Sequence, residues 1–146
     1  MPTADEMFEL VGHDLEPSDW FLIDQERVNL FADATLDYSF SHVDLVEAEK
    51  IGGTIVHGLL ILSLLPHLTA KHNQLPDGTT IGLNYGFDRV RFASMVRVGK
   101  RIRVEPRLTA WERFRTQGWK MVLAITVAIE NQPKPALYAD WTIVYQ

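Results

Sequence analysis

The chain has 146 residues, 47% hydrophobic and 23% charged, enough for one well-packed domain over 1–146 but not for two. A formal charge of −5 argues against a nucleic-acid or anionic-membrane surface, and the lack of cysteine rules out disulfides, thiolate metal sites and a cysteine nucleophile. The acidic start lacks the basic-then-apolar pattern of a signal peptide, and the apolar run Val56–Leu65 is too short to span a bilayer, so a cytoplasmic protein is expected.

Trp20–Ile23 is a short apolar run that reads as a strand. Asp24 then caps a helix through about Ala34, with Val28, Phe31, Ala32 and Thr35 on one face. Leu36 to His42 has poor helical character, a short helix is expected over Asp44–Lys50, and Gly52-Gly53 breaks it. From His57 the sequence HGLLILSLLPHL is apolar on every side, which predicts a long helix buried all round. Pro66 should end or kink it near Leu62.

After the turn signal Pro76-Asp77-Gly78 come four alternating stretches. In Thr79–Phe87, the residues Ile81, Leu83, Tyr85 and Phe87 share a face. Arg101–Ala110 sets Ile102, Val104 and Leu108 against charged neighbours, with Pro106 marking an edge or bulge. Trp119–Glu130 and Leu137–Tyr145 alternate most cleanly, and Gln132–Pro135 makes a hairpin loop between them. The expected fold class is α+β, an antiparallel sheet of about five strands wrapped around a long central apolar helix. One small sheet cannot cover such a helix, so a homodimer is expected.

Chemistry concentrates in one place. Asp37 and His42 lie five residues apart on the irregular segment, followed by His57-Gly58 at the start of the apolar helix. An acid, an imidazole and a backbone N–H are the minimum set for adding or removing water beside a thioester carbonyl. Spacing alone leaves a plain surface loop as the alternative. Asp44 reads first as a helix cap, and His57 as a loop stabiliser more than a proton-transfer group. Ser63 is a packing residue or a pocket donor. Asn84 and Tyr85 line a pocket or simply pack the sheet. Arg89, Arg91, Arg97, Lys100, Arg101 and Arg103 read mostly as a solvated sheet edge, or else meet the phosphates of coenzyme A or an acidic carrier protein.

The pattern FADATLDYSFSHVD, IVHGLLILSLLP, NYGFDRVRF and VRVGKRIRV resembles the MaoC-like (R)-specific enoyl-CoA hydratase family of the hot-dog fold, nearest its nodulation-protein-N-like single-domain branch. The resemblance runs from about Trp20 to Val104. It implies that Asp37 and His42 are the hydratase acid–base pair, that the Gly58 N–H belongs to the oxyanion hole, and that the product is an (R)-3-hydroxyacyl thioester. On that mechanism His42 takes a proton from water, while Asp37 orients the water and delivers a proton to C2. No metal or redox cofactor is implied; coenzyme A or acyl carrier protein enters as part of the substrate. Leu36, Ser39, Phe40 and Ser41 depart from the family pattern, where Gly, Asn or Gln, Pro or Trp, and an aliphatic residue are usual. A thioesterase on the same fold and a non-catalytic acyl-binding subunit are the competing readings. The first is disfavoured because Gly58–Leu65 carries no acid.

Overall fold

The computed structural model describes residues 3–146. The order along the chain is α1 (Ala4–Leu10), β1 (Phe21–Leu22), α2 (Gln25–Thr35), α3 (Phe40–Val43), α4 (Gly58–Ser63), α5 (Leu65–Leu68), β2 (Gly82–Phe92), β3 (Arg101–Phe114), β4 (Gly118–Ile129) and β5 (Leu137–Tyr145), with 3-10 turns at Glu47–Ile51 and Ala70–His72. Five strands form one antiparallel sheet in the order β1-β3-β4-β5-β2.

The alternating stretches form the core as their period dictates. Trp119, Met121, Leu123, Ile125, Val127 and Ile129 of β4, and Leu137, Ala139, Trp141, Ile143 and Tyr145 of β5, are all buried on one sheet face. Leu60, Ile61, Leu64, Leu65 and Leu68 pack against them. Each large side chain so buried contributes roughly 1.5–3 kcal/mol to the hydrophobic term. At the β1 side, residues 12–18 bond to the free edge of β3, Gly12 N–H donating to Leu108 O and Ser18 N–H to Val104 O. Pro106, which has no N–H to offer, sits on that edge.

Asp24 caps α2 as expected, its Oδ1 accepting from Arg27 N–H at 2.9 Å. An additional helix, α1, precedes it, closed by a capping box in which Thr3 and Glu6 satisfy each other's backbone N–H. Where a short helix was expected after Asp44, the chain makes only the 3-10 turn, with Asp44 Oδ1 accepting from Val46 and Glu47 N–H.

Two expectations need correction. The long central helix is two short ones, α4 and α5, joined at Leu64. Pro66 has no N–H to give the Leu62 carbonyl, so the first helix closes early and the second begins with proline in its first turn, where no N–H is needed. Leu64 N–H meanwhile bonds both Leu60 O and Ile61 O. Nor is this segment buried on every side within the chain, because Leu59 is 60% exposed. The second correction concerns β2. Its pairing to β5 shifts between Asn84/Ile143 and Gly86/Thr142, leaving Tyr85 as an extra residue. The bulge puts Asn84 and Phe87 on the face of Ile143 and Trp141, and separates Leu83 and Tyr85 from Phe87.

Candidate active site

Helix α2 ends at Leu36, which adopts the left-handed conformation (φ 62°, ψ 20°). That turn redirects the chain so that Asp37 leaves the helix axis. A leucine there costs about 1–2 kcal/mol relative to a relaxed backbone, and the family glycine would not incur it. Ser39 then folds back on Asp37, whose Oδ1 accepts from Ser39 Oγ at 2.8 Å and Ser39 N–H at 3.2 Å. These bonds hold the Asp37 carboxyl below its ordinary value. The hydroxyl bond contributes most and the backbone bond next, with a smaller contribution from the neighbouring imidazoles. Both donors favour the carboxylate.

His42 lies on α3. Its Nδ1 is 2.8 Å from Ile55 O. A carbonyl can only accept, so Nδ1 carries the hydrogen in that bond, and in the neutral tautomer Nε2 holds the lone pair. The Ile55 N–H donates to Ser41 O at 2.8 Å, so Ser41 is pinned through its backbone, where the family pattern has an aliphatic side chain to pack.

His57 is 3% exposed and stacks on His42, with ring centroids 3.8 Å apart and planes 24° from parallel. Phe31 of α2 meets its edge at 4.9 Å. His57 Nε2–H donates to the Asp37 carbonyl at 3.1 Å and lies 3.9 Å from Asp37 Oδ2. Its Nδ1 is buried without a protein partner. The expected loop-stabilising role thus has a geometric basis: this ring ties the strained Leu36–Asp37 turn to the start of α4.

Gly58 opens α4, and its N–H has no partner within that helix. A Cβ built on it would sit 2.8 Å from Phe92 Cδ1 and 3.0 Å from Cε1, so any larger residue here must displace the Phe92 ring. Gly58, His42, Ile55, Leu59, Phe92 and Met95 are among the residues lining a largely apolar cavity of about 450 Å³. That is a size suited to an acyl group.

Donor atoms of Asp37, His42 and His57 lie within 4.8 Å of one another, close enough to raise the question of a metal. The stacking argues against a shared ion, because nearly parallel rings send their in-plane lone pairs along separate planes.

The remaining candidates sit elsewhere. Ser63 Oγ–H donates to Leu59 O at 2.7 Å, bonding its own helix. Asn84 Oδ1 accepts from Trp141 Nε1–H at 3.1 Å and lines a different cavity, with Asn73 and Tyr145. Tyr85 stands 60% exposed against Phe114. Several arginines are engaged within the chain. Arg97 donates to Ile51 O and Gly53 O, Arg89 pairs with Asp140, and Arg103 pairs with Glu105. Sequence reasoning did not single out the Ile55 carbonyl or Phe92. A backbone acceptor carries no side-chain signal, and the approach of Phe92 to Gly58 is visible only once β2 is placed.

The family model described as MaoC like domain matches residues 7–130. Nodulation protein N of Rhizobium meliloti is 44% identical over 140 residues, covering 94% of this chain and 87% of that protein. The 3-hydroxyacyl-thioester dehydratase Z of Mycobacterium tuberculosis is 38% identical over 136 residues, covering 92% and 89%. Among solved structures, the (R)-hydratase from A. caviae involved in PHA biosynthesis superposes with a TM-score of 0.68 at 23% identity, covering 91% of this chain and 94% of that one. The monoamine oxidase regulatory protein from Archaeoglobus fulgius gives 0.78 at 19%, covering 92% and 89%. The chain belongs to the MaoC-like dehydratase family and has its hot-dog fold, with Nodulation protein N among its relatives.

Proposed function

We propose that this protein is a hydro-lyase that adds water to trans-2-enoyl thioesters, or removes it from (R)-3-hydroxyacyl thioesters, at the Asp37–His42–Gly58 site. The observation that carries the reading is the His42 Nδ1–Ile55 O bond. In the neutral ring it turns the Nε2 lone pair away from Ile55, on a residue lining an apolar cavity that also includes Gly58.

In the hydration direction, one water donates its hydrogens to the Asp37 carboxylate and His42 Nε2. Its oxygen attacks C3 while His42 takes a proton, the C2=C3 π bond opens, and charge moves to the thioester oxygen. The Gly58 N–H donates to that oxygen. The imidazolium then returns its proton to C2 on the same face, closing the balance with His42 restored. In this reading His42 makes both transfers, where the resemblance implied that Asp37 delivers the proton to C2. Two donors from Ser39 favour its ionised form, so it serves as a hydrogen-bond acceptor and His42 carries the proton to C2.

The steps as written ask for no metal or redox cofactor, and the coenzyme A or carrier portion arrives with the substrate. A cytoplasmic role in fatty-acid metabolism fits such substrates. Among the described residues no helix is long and apolar enough to cross a membrane.

We further propose a homodimer, in which a second copy covers Leu59, Phe92 and Met95, which are 60%, 49% and 65% exposed beside the cavity. Among the described residues β2 pairs on one side only, with β5, and so offers a free edge. Light scattering on the purified protein checks this: twice the 16.7 kDa chain mass is expected, and a monomer at working concentration rejects it.

The test of the reaction is product analysis on crotonyl-CoA and a longer trans-2-enoyl-CoA. Loss of enoyl absorbance without release of free thiol is expected. Thiol release would instead assign a thioesterase.

A further inference from the structure

His42 is held by its backbone as well as by its ring. Its carbonyl accepts a 2.7 Å hydrogen bond from Nε2 of Gln25, the first residue of α2. The other amide hydrogen of Gln25 goes to Asn29 Oδ1 at 2.9 Å, and its Oε1 accepts from the Thr54 hydroxyl at 2.7 Å. The amide has only one workable orientation, because the His42 carbonyl accepts and never donates. Thr54 is 8% exposed and directly precedes Ile55, whose carbonyl takes the His42 Nδ1–H. One side chain therefore joins α2 to α3 and to the segment leading into Gly58, across sequence separations of 17 and 29 residues.

We infer that Gln25 is a positioning residue for His42, setting through its amide the separation between α3 and the Thr54–Ile55 segment and so the aim of His42 Nε2. Ordering a glutamine side chain costs rotamer entropy, which a helix-surface residue has no reason to bear. Here all of its donors and its carbonyl oxygen are committed, two of them to the segments that bracket His42. The bonds also close a ring. Gln25 holds the His42 backbone, the His42 ring holds Ile55 O, and Thr54, one residue earlier, returns to Gln25. Remove the amide and the strut that keeps the His42 ring in register with Ile55 O is gone, so the ring bond that fixes its tautomer loosens.

The inference rests on the proposed hydratase reading, so its test has one readout that depends on turnover and one that does not. Gln25→Met removes every bond at nearly constant shape. Gln25→Glu keeps the acceptor for Thr54 but loses the donor to His42. Thr54→Val removes the hydroxyl alone and serves if either Gln25 variant folds poorly. Each is compared with wild type for enoyl-CoA hydration, thermal unfolding and the imidazole ¹⁵N signals of His42. Displacing a catalytic group by a fraction of an ångström to an ångström costs up to about 10²-fold. The expectation is therefore a kcat loss of about 10- to 100-fold in both Gln25 variants, with KM changed less than about threefold. Thr54→Val should lose less. The ¹⁵N signals should move from a predominantly Nδ1–H ring toward a mixture of tautomers. A Gln25→Met protein with a lower melting temperature but unchanged kcat and ¹⁵N signals would make Gln25 a structural staple and overturn the inference. So would full activity in Gln25→Glu. If wild type hydrates nothing, the hydratase reading fails by itself, and the ¹⁵N comparison alone decides: unchanged signals overturn the positioning role, mixed signals uphold it.

Discussion

The ring of His57 lies against the ring of His42 at 3.8 Å while its Nε2–H reaches back to the carbonyl of Asp37. One buried side chain thus touches both members of the candidate acid–base pair. Replacing it separates two effects. His57→Gln keeps a donor for Asp37 O but loses the stacking ring, whereas His57→Phe keeps a ring and loses the donor. Losing the hydrogen bond to the Asp37 carbonyl costs about 0.5–1.5 kcal/mol. His57→Phe is therefore expected to be the less stable of the two in urea unfolding, with the Asp37 turn loosened.

Leu36 is 75% exposed and held at φ 62°. Its side chain buries little, so the backbone penalty is not recovered by packing. Leu36→Gly should stabilise the protein by about 1 kcal/mol, the relief at a left-handed position less the entropy glycine adds to the unfolded chain. Chemical denaturation measures it. An unchanged or lower midpoint would show that the leucine side chain matters where the structure leaves it exposed.

Gly58 is constrained by Phe92 as well as by its N–H. Gly58→Ala drives a Cβ to 2.8 Å from that half-exposed ring, which must swing aside, so a loss of about 1 kcal/mol is expected, the low end for overpacking. The double variant Gly58→Ala with Phe92→Leu should recover stability. If kcat recovers with it, the single-variant defect was steric. If stability returns and kcat does not, the conformation at the start of α4 matters to the chemistry itself.

Ser39→Ala removes the stronger of the two bonds that depress the Asp37 carboxyl. Asp37 should then titrate at higher pH, as read from its carboxyl ¹³C signal. The sign for stability follows from a folded pKa below the unfolded one. The contribution is complete above the ordinary aspartate value of about 3.9 and disappears as pH falls through the lower folded value. Wild type should exceed the variant in stability at neutral pH, and the gap attributable to Asp37 should close in acid. A gap that persists unchanged in acid would place the effect in the Ser39 side chain alone.

Strands β4 and β5 were legible because strict period-two alternation has one good solution when a face must be buried, and Trp119 to Ile129 keeps it without interruption. The strand β2 was less so. The bulge at Tyr85 exchanges faces mid-strand, and nothing in Asn84-Tyr85-Gly86 says which residue will be skipped. The α4–α5 break follows from Pro66, yet the all-round apolar pattern overstated how much one chain buries, as Leu59 shows. At the site, Asp37, His42 and Gly58 could be named from their motif. Gln25 and Thr54 could not, because their roles depend on contacts made across the fold rather than on residue type or spacing.

The central claim is that Asp37 and His42 move water onto and off an acyl chain. Initial rates of trans-2-enoyl-CoA hydration, followed at the enoyl absorbance for wild type, Asp37→Asn and His42→Ala, test it most directly. Activity in wild type with a loss of about 10²-fold or more in each variant is the predicted result, the scale for losing a positioned proton-transfer group at His42 and the carboxylate that orients the water at Asp37. Wild-type turnover that survives in either variant would contradict it.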